Sequence, residues 1–226
     1  MRLEDVYGSI GKNAKILDVG CLGFRQHETS KRLGSAGHRH FGIDLPKKCK
    51  VPHGFTYKQA DLNKNRIPFD DDFFDLVVAS HIMEHVRDPL ALFSELARVC
   101  KPGGYVYVEA PSERSLLLPG MPFKHELFCS LSFYDDPTHI SRPWTPQSLY
   151  RLAKYYGCDA IKCGYLASWK IRALSPLLLT YSLIAKNGPL LEYTCWNTIG
   201  WCSYLVAKKP ATARGKPKFS YYIPKR

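Results

Sequence analysis

The chain repeats one pattern four times: a short apolar run that stops at an acid, a glycine or a small polar residue. "AKILDVGC" stops at Asp18 and Gly20, "HFGIDL" at Asp44, "FTYKQADL" at Asp61, and "FFDLVVAS" at Ser80, with His81 next. Runs of this length, rich in β-branched residues and bounded by turn formers, read as strands buried on both faces. Helical periods separate them. "RQHETSKRLGSAG" is a helix stopped by glycine. In "DPLALFSELARVCKPGG", Asp88 is placed to cap the helix, Pro89 fits its first position, and Pro102, Gly103 and Gly104 end it. "YVYVEAPS" is a fifth strand. "TPQSLYRLAKYYG" is another helix, with Thr145 as cap and Pro146 as first residue. "CDAIKCGYL" and "WCSYLVAKK" complete a set of seven strands. Strands that alternate with helices imply a parallel sheet covered on both faces.

A length of 226 residues suits one such domain with insertions. The domain is read as 1–207, with insertions at about 112–144 and 165–198. The first insertion is rich in Pro, Phe, His and Asp and has the character of a long functional loop or lid. The second is apolar and partly helical. Residues 208–226 form a basic tail, with seven Lys or Arg and no acid, that carries more than half of the net charge of +12. Such a tail is a solvated end or a contact for an anionic partner: a membrane surface, a nucleic acid or a phosphorylated substrate. Eight cysteines without a C-x-x-C pair read as reduced thiols of a cytoplasmic protein. No N-terminal signal is expected, because the folded pattern begins near residue 14. The run "ALSPLLLTYSLIA" holds a proline and is too short to span a bilayer. It reads as a lid or homodimer surface, or as an element that lies on a membrane.

"HIMEH", residues 81–85, matches H-x-x-E-H, the zinc signature of inverted zincin proteases. That chemistry needs a helix, so that His81 and His85 share one face at i and i+4, and a further ligand downstream. Here the residues follow directly on a buried strand and precede a helix that starts only at Asp88. A strand-end turn is the expected structure, and no metal is expected.

In open α/β sheets, ligands bind outside the carboxyl ends of the strands. The order and spacing of the polar strand ends resemble the class I S-adenosylmethionine-dependent methyltransferases. "ILDVGCLGF" is similar to the family's first motif, "GIDL" to its second, "ADL" to its third, and "FDLVVASHIMEHVRDP" followed by "ELARVCKPGGYVYVEAP" to its fourth and fifth. The resemblance covers about residues 12–112 and, more weakly, the "TPQSLYRLAKYYG" helix. It implies a Rossmann-like three-layer α/β/α sandwich, with a mostly parallel seven-stranded sheet whose last strand is antiparallel. It also implies S-adenosyl-L-methionine as cofactor, held by Asp18, Gly20, Cys21, Gly23, Asp44, Leu45, Asp61, Leu62, Ser80 and His81. Asp44 would accept the ribose hydroxyls. One departure stands out: Leu22 and Phe24 occupy positions where the family's first motif has glycines. That keeps a non-catalytic homologue as the alternative to an enzyme.

"FYDDPTHISRPWTPQSL", residues 133–149, resembles a segment on the substrate side of bacterial methyltransferases, including some near cell-surface glycan biosynthesis. His139 is the expected general base for a hydroxyl, oriented by Asp136, with His81 as the other catalytic candidate. Tyr134, Arg142 and Trp144 are the expected substrate contacts. The acceptor is read as a small molecule, first a sugar or glycan precursor methylated on oxygen, with a lipid or quinone, or RNA, as alternatives.

Overall fold

The computed structural model describes residues 2–34, 37–123 and 129–212. A short helix α1 (Leu3–Tyr7) leads into β1 (Lys15–Val19), α2 (Arg25–Arg32), β2 (Arg39–Asp44), β3 (Phe55–Gln59), β4 (Phe74–Ser80), α3 (Pro89–Val99) and β5 (Cys100–Pro111). Then follow α4 (Pro146–Tyr155), β6 (Asp159–Leu166), α5 (Trp169–Ile184), α6 (Gly188–Ile199) and β7 (Cys202–Lys208). The seven strands form one sheet in the order β3-β2-β1-β4-β5-β7-β6. β1 to β5 pair in parallel, and β7 runs antiparallel to both β5 and β6. This is the seven-stranded, mostly parallel sheet expected from the sequence, with its last strand reversed.

The central strands bury both faces, as their unbroken apolar runs require. On one face Leu17, Val77, Val106 and Leu205 pack with Phe93 and Leu96 of α3 and Leu149 and Leu152 of α4. On the other, Ile16, Val78 and Tyr107 meet Val6 and Tyr7 of α1. α2 adds to that second layer through His27, whose ring lies 5.0 Å from His40 and 5.8 Å from Phe55. Burial pushes the His40 pKa down to about 4, which keeps this ring uncharged inside the layer. Helix α1 carried no apolar period long enough to be recognised. It forms because Val6 and Tyr7 find the sheet.

The expected caps are present. Asp88 accepts from the Ala91 amide at 3.0 Å, and Thr145 accepts from the Ser148 amide at 3.0 Å. The C-terminal end of α3 differs from expectation. The helix stops at Val99, and Pro102, Gly103 and Gly104 already belong to β5. The chain turns extended at Cys100, and the last carbonyls are served by a residue 110 positions after Val99. Lys209 Nζ donates to the carbonyls of Ala97 (2.8 Å) and Cys100 (2.9 Å) and pairs with Asp72 at 2.6 Å. An ammonium at the last carbonyls satisfies orphan acceptors and the negative end of the helix together. The boundary of the basic tail is corrected accordingly. Lys208 ends β7 and Lys209 is packed structure, while the larger part of the tail, 213–226, lies outside the described residues.

Replacing Lys209 with Ala is expected to destabilise the protein by about 1.5–3 kcal/mol, the range for hydrogen bonds to a charged group. Urea unfolding of the two proteins checks this. Equal midpoints would show that water replaces the ammonium without loss.

Candidate active site

Strand order reverses between β1 and β4, and a shallow cleft of about 60 Å³ opens there, outside the carboxyl ends of the strands. Gly20, Asp44, Leu45, Asp61, Leu62 and Ile82 are among its walls. The turn after β1 forms without the missing glycines. Gly20 (φ +78°), Gly23 (φ +88°) and Phe24 (φ +50°) take left-handed conformations. A left-handed phenylalanine is strained; its ring packs edge-on against Phe55 at 5.0 Å, which offsets that strain. Leu22 points outward, 47% exposed, and only its backbone serves the turn.

That backbone reaches Asp44. The Leu22 amide donates to Asp44 Oδ2 at 3.0 Å, and the Leu45 amide donates to Oδ1 at 2.7 Å. A carboxylate has about four acceptor positions, so each oxygen keeps room for a hydroxyl. Asp18 lies behind, 6% exposed. Burial, with the Asp44 charge beside it, raises its pKa to about 8. Asp61 is more committed. It accepts from the Asn63 amide at 3.0 Å and pairs with Lys64 at 2.9 Å, and these contacts lower its pKa. Cys21, Gly23, Asp18 and Ser80 stand around the cleft without lining it. A glycine turn, an acid with free acceptor capacity at the second strand end, and apolar walls at Leu45 and Leu62 fit an adenosyl ribose and its base.

A larger cavity of about 420 Å³ lies beside the cleft, and His85 borders both. The two insertions close it together. Trp196 of α6 and Trp201 before β7 stack at 4.0 Å and 8°, and their indole N–H groups donate to Ser130 (2.8 Å) and Leu131 (2.6 Å) of the first insertion. His81 lies against this pair, 5.8 Å from Trp196 and 6.2 Å from Trp201. Its backbone is left-handed at φ +53°. Its Nδ1 stands 3.3 Å from Glu84 Oε1 and its Nε2 3.3 Å from Glu109 Oε1. Burial opposes charge on His81. Cys202 at 3.6 Å and the carboxylates of Glu109 and Glu84 outweigh it and hold the pKa well above the ordinary range.

The first insertion brings the expected pair to this cavity. His139 Nδ1 faces the Phe133 carbonyl at 2.6 Å, and its Nε2 lies 3.4 Å from Asp136 Oδ2. Asp136 also accepts from the Thr138 amide (2.8 Å) and hydroxyl (2.6 Å). Burial works to raise the Asp136 pKa, but these bonds and the nearby His139 and His85 bring it below the usual value. Tyr134, Arg142 and Trp144 line neither cavity. Tyr134 is 77% exposed, and Arg142 lies over the Trp144 ring at 4.5 Å. Trp144 is 1% exposed and its amide donates to Pro111, so the substrate role read for it gives way to a packing role. Arg25, Glu192, Trp196 and Trp201 are among the walls that sequence reading did not name. Trp196 within the apolar insertion and Trp201 just after it were the available signal.

Residues 2–162 match a family model described as a methyltransferase domain. The ubiquinone biosynthesis O-methyltransferase of Neisseria meningitidis serogroup C is 32% identical over 206 residues, covering 86% of this chain and 82% of that protein. Two other relatives match over less. An uncharacterized methyltransferase of Schizosaccharomyces pombe is 28% identical over 52% of this chain, and the Thiobacillus denitrificans ubiquinone biosynthesis O-methyltransferase 33% over 41%. The chain spans 47% and 42% of those two proteins. Among solved structures, a SAM-dependent methyltransferase from Archaeoglobus fulgidus superimposes with TM-score 0.60 at 22% identity, covering 90% of each chain. The methyltransferase in a complex with the Haloferax volcanii Trm112 activator gives 0.65 at 17%, covering 94% of this chain and 90% of that one. The chain belongs to the methyltransferase-domain family, as a class I S-adenosylmethionine-dependent methyltransferase.

Two outcomes follow at the cleft. Replacing Asp44 with Ala is expected to weaken S-adenosylhomocysteine binding by about 1.5–3 kcal/mol in calorimetry; unchanged affinity would remove Asp44 from the cofactor site. Asp18 makes stability depend on pH. Its folded pKa of about 8 exceeds the unfolded value of 3.8, so the native state keeps a proton that the unfolded chain has lost. The stability from this proton is full below pH 3.8 and is lost as pH rises toward 8, at no more than about 1.4 kcal/mol per pH unit. Asp18→Asn should therefore match the wild type near pH 4 and exceed it at pH 8 in thermal unfolding without ligand. Parallel curves would show that Asp18 is ionised throughout.

Proposed function

We propose that this protein methylates a hydroxyl oxygen on an aromatic, apolar-substituted acceptor of the quinol-precursor kind. The observation that carries the reading is the half-buried Trp196 indole in the cavity next to the cofactor cleft, backed by the buried Trp201 ring. Aromatic rings stack on such walls with a modest gain beyond area burial. The Neisseria relative, whose name states O-methylation in ubiquinone biosynthesis, supports it. So does the apolar surface of α5, which packs on α6 and exposes Leu174, Leu177, Tyr181 and Ile184. No helix among the described residues is long and apolar enough to cross a membrane. That surface suits an apolar tail or the face of a bilayer.

S-adenosylmethionine, when bound, supplies an electrophilic methyl group on a sulfonium. The protein's work is alignment and exclusion of water. The indole wall fixes the acceptor ring. His85, shared by both cavities, marks where they meet. His139 and Asp136 take up the hydroxyl proton as a pair: the Phe133 carbonyl fixes the His139 ring through Nδ1, and its Nε2 faces Asp136 Oδ2 at 3.4 Å.

Radiolabelled methyl transfer to a polyprenyl-substituted catechol in detergent tests the acceptor class, against sugar-nucleotide precursors and RNA as competitors. An aryl methyl ether as the favoured product supports the reading; selective labelling of a sugar or RNA overturns it. Under the same assay, His139→Ala is expected to lose about 10²–10⁴-fold in rate, the usual worth of a positioned acid or base, with S-adenosylhomocysteine affinity unchanged. Wild-type turnover in that variant would place proton removal elsewhere.

A further inference from the structure

Glu192 is the only acid that follows Asp159 in the sequence. The surroundings in the chain are apolar or basic, so where this carboxyl is placed is informative. Helix α6 turns Pro189, Glu192, Tyr193, Trp196 and Asn197 to the 420 Å³ cavity. Steps of three and four residues put these side chains on one helical face. The acid therefore stands in the same wall as the Trp196 indole, one turn before it.

The carboxyl is held loosely. Glu192 Oε1 accepts from the Ser130 amide at 3.4 Å, longer than the usual range for such a bond, and the Cys129 thiol is a weak donor to the same group. Burial raises the Glu192 pKa; these two donors and the charges of His81 and Arg25 oppose burial without overcoming it. Both ionisation states pair with a hydroxyl, because a carboxylate accepts and a carboxylic acid also donates.

The Ser130 segment ties the acid to the aromatic wall. The Trp196 indole N–H donates to the Ser130 carbonyl at 2.8 Å, so the polar edge of the indole, the Ser130 backbone and Glu192 lie together. Ser130 is 4% exposed, and its hydroxyl has no partner. A ring stacked on Trp196 thus has an under-used acid at one edge. The pair that takes up the proton, His139 and Asp136, comes from a different element, the first insertion. Two separate elements therefore offer polar groups to one ring.

We propose that Glu192 determines acceptor specificity, binding through its carboxyl a second hydroxyl on the acceptor ring, and that the Ser130 segment positions it. The acceptor class is then an aromatic diol, with one hydroxyl methylated and the other recognised. The inference deepens the proposed function and rests on it for the aromatic acceptor. A site built to hydrogen-bond a hydroxyl rejects the analogue that lacks it, because the protein's own polar group is then left unpaired in a desolvated cavity.

The test compares a prenyl-substituted catechol with the matching phenol that lacks the second hydroxyl. Methyl transfer gives kcat/KM for each. Quenching of tryptophan fluorescence, with S-adenosylhomocysteine present, gives Kd for each. Wild type is expected to prefer the catechol by at least about tenfold in both measurements. Glu192→Leu should lose that preference by weakening the catechol alone, and Glu192→Gln, which keeps a hydrogen-bonding amide, should retain most of it. S-adenosylhomocysteine affinity in calorimetry should be equal in all three proteins. Equal weakening of catechol and phenol in Glu192→Leu would show that the residue only braces the loop, and overturns the proposal. A wild type that does not distinguish the two compounds overturns it as well, whatever the variants do, while methyl transfer to both leaves the functional reading standing. Catechol binding that depends on Glu192 without any methyl transfer supports the specificity site and overturns the functional reading.

Discussion

A Cβ placed on Gly20 would stand 3.1 Å from Ile82 Cδ1. The left-handed backbone at Gly20 (φ +78°) favours glycine there, and this crowding adds to it where the strand order reverses. Both cavities follow from it. On one side the turn lets the Leu22 amide reach Asp44 and shape the cleft. On the other, the chain leaves β4 at His81 in a second left-handed step and makes a 3-10 turn over Met83–His85. That turn buries Met83 and Glu84 and leaves His85 on the border between the two sites.

The strand ends were legible because their signals are local. An apolar run, the residue that ends it and the glycine that turns it lie within ten positions, and the sheet turns that spacing into a shared edge. The departure at Leu22 and Phe24 was legible, but its remedy was not. Phe24 tolerates its backbone because Phe55, on a strand two places away in the sheet, packs against its ring. The larger cavity was half legible. His139 and Asp136 could be read from their segment, but the walls come from Arg25, Glu192, Trp196 and Trp201, and only tertiary packing brings these together. Trp144 misled for the converse reason. An aromatic in a polar loop looks like a substrate contact, yet Ser203 of β7 donates to its carbonyl and the ring fills the core. Lys209 shows the same limit at the terminus: composition assigned it to a solvated tail, but the open end of α3 claims it.

Charge is divided between the two cavities in a way that follows from what each has to hold. The cleft carries acids at three successive strand ends, and two of them cannot both be charged cheaply. Asp44 is served by two amides, while Asp18 sits deeper and keeps its proton to about pH 8. A cationic ligand in the cleft favours the ionised form of Asp18, so its binding releases a proton across the range below pH 8. The acceptor cavity has the opposite arrangement. Its walls hold the acids Glu84, Asp136 and Glu192 together with Arg25, His81, His85 and His139. His81 stands between two carboxylates, Glu84 and Glu109, which outweigh burial and raise its pKa. On the proposed reading, a sulfonium methyl donor meets the anions of the cleft, and an acceptor hydroxyl meets the histidines of the larger cavity.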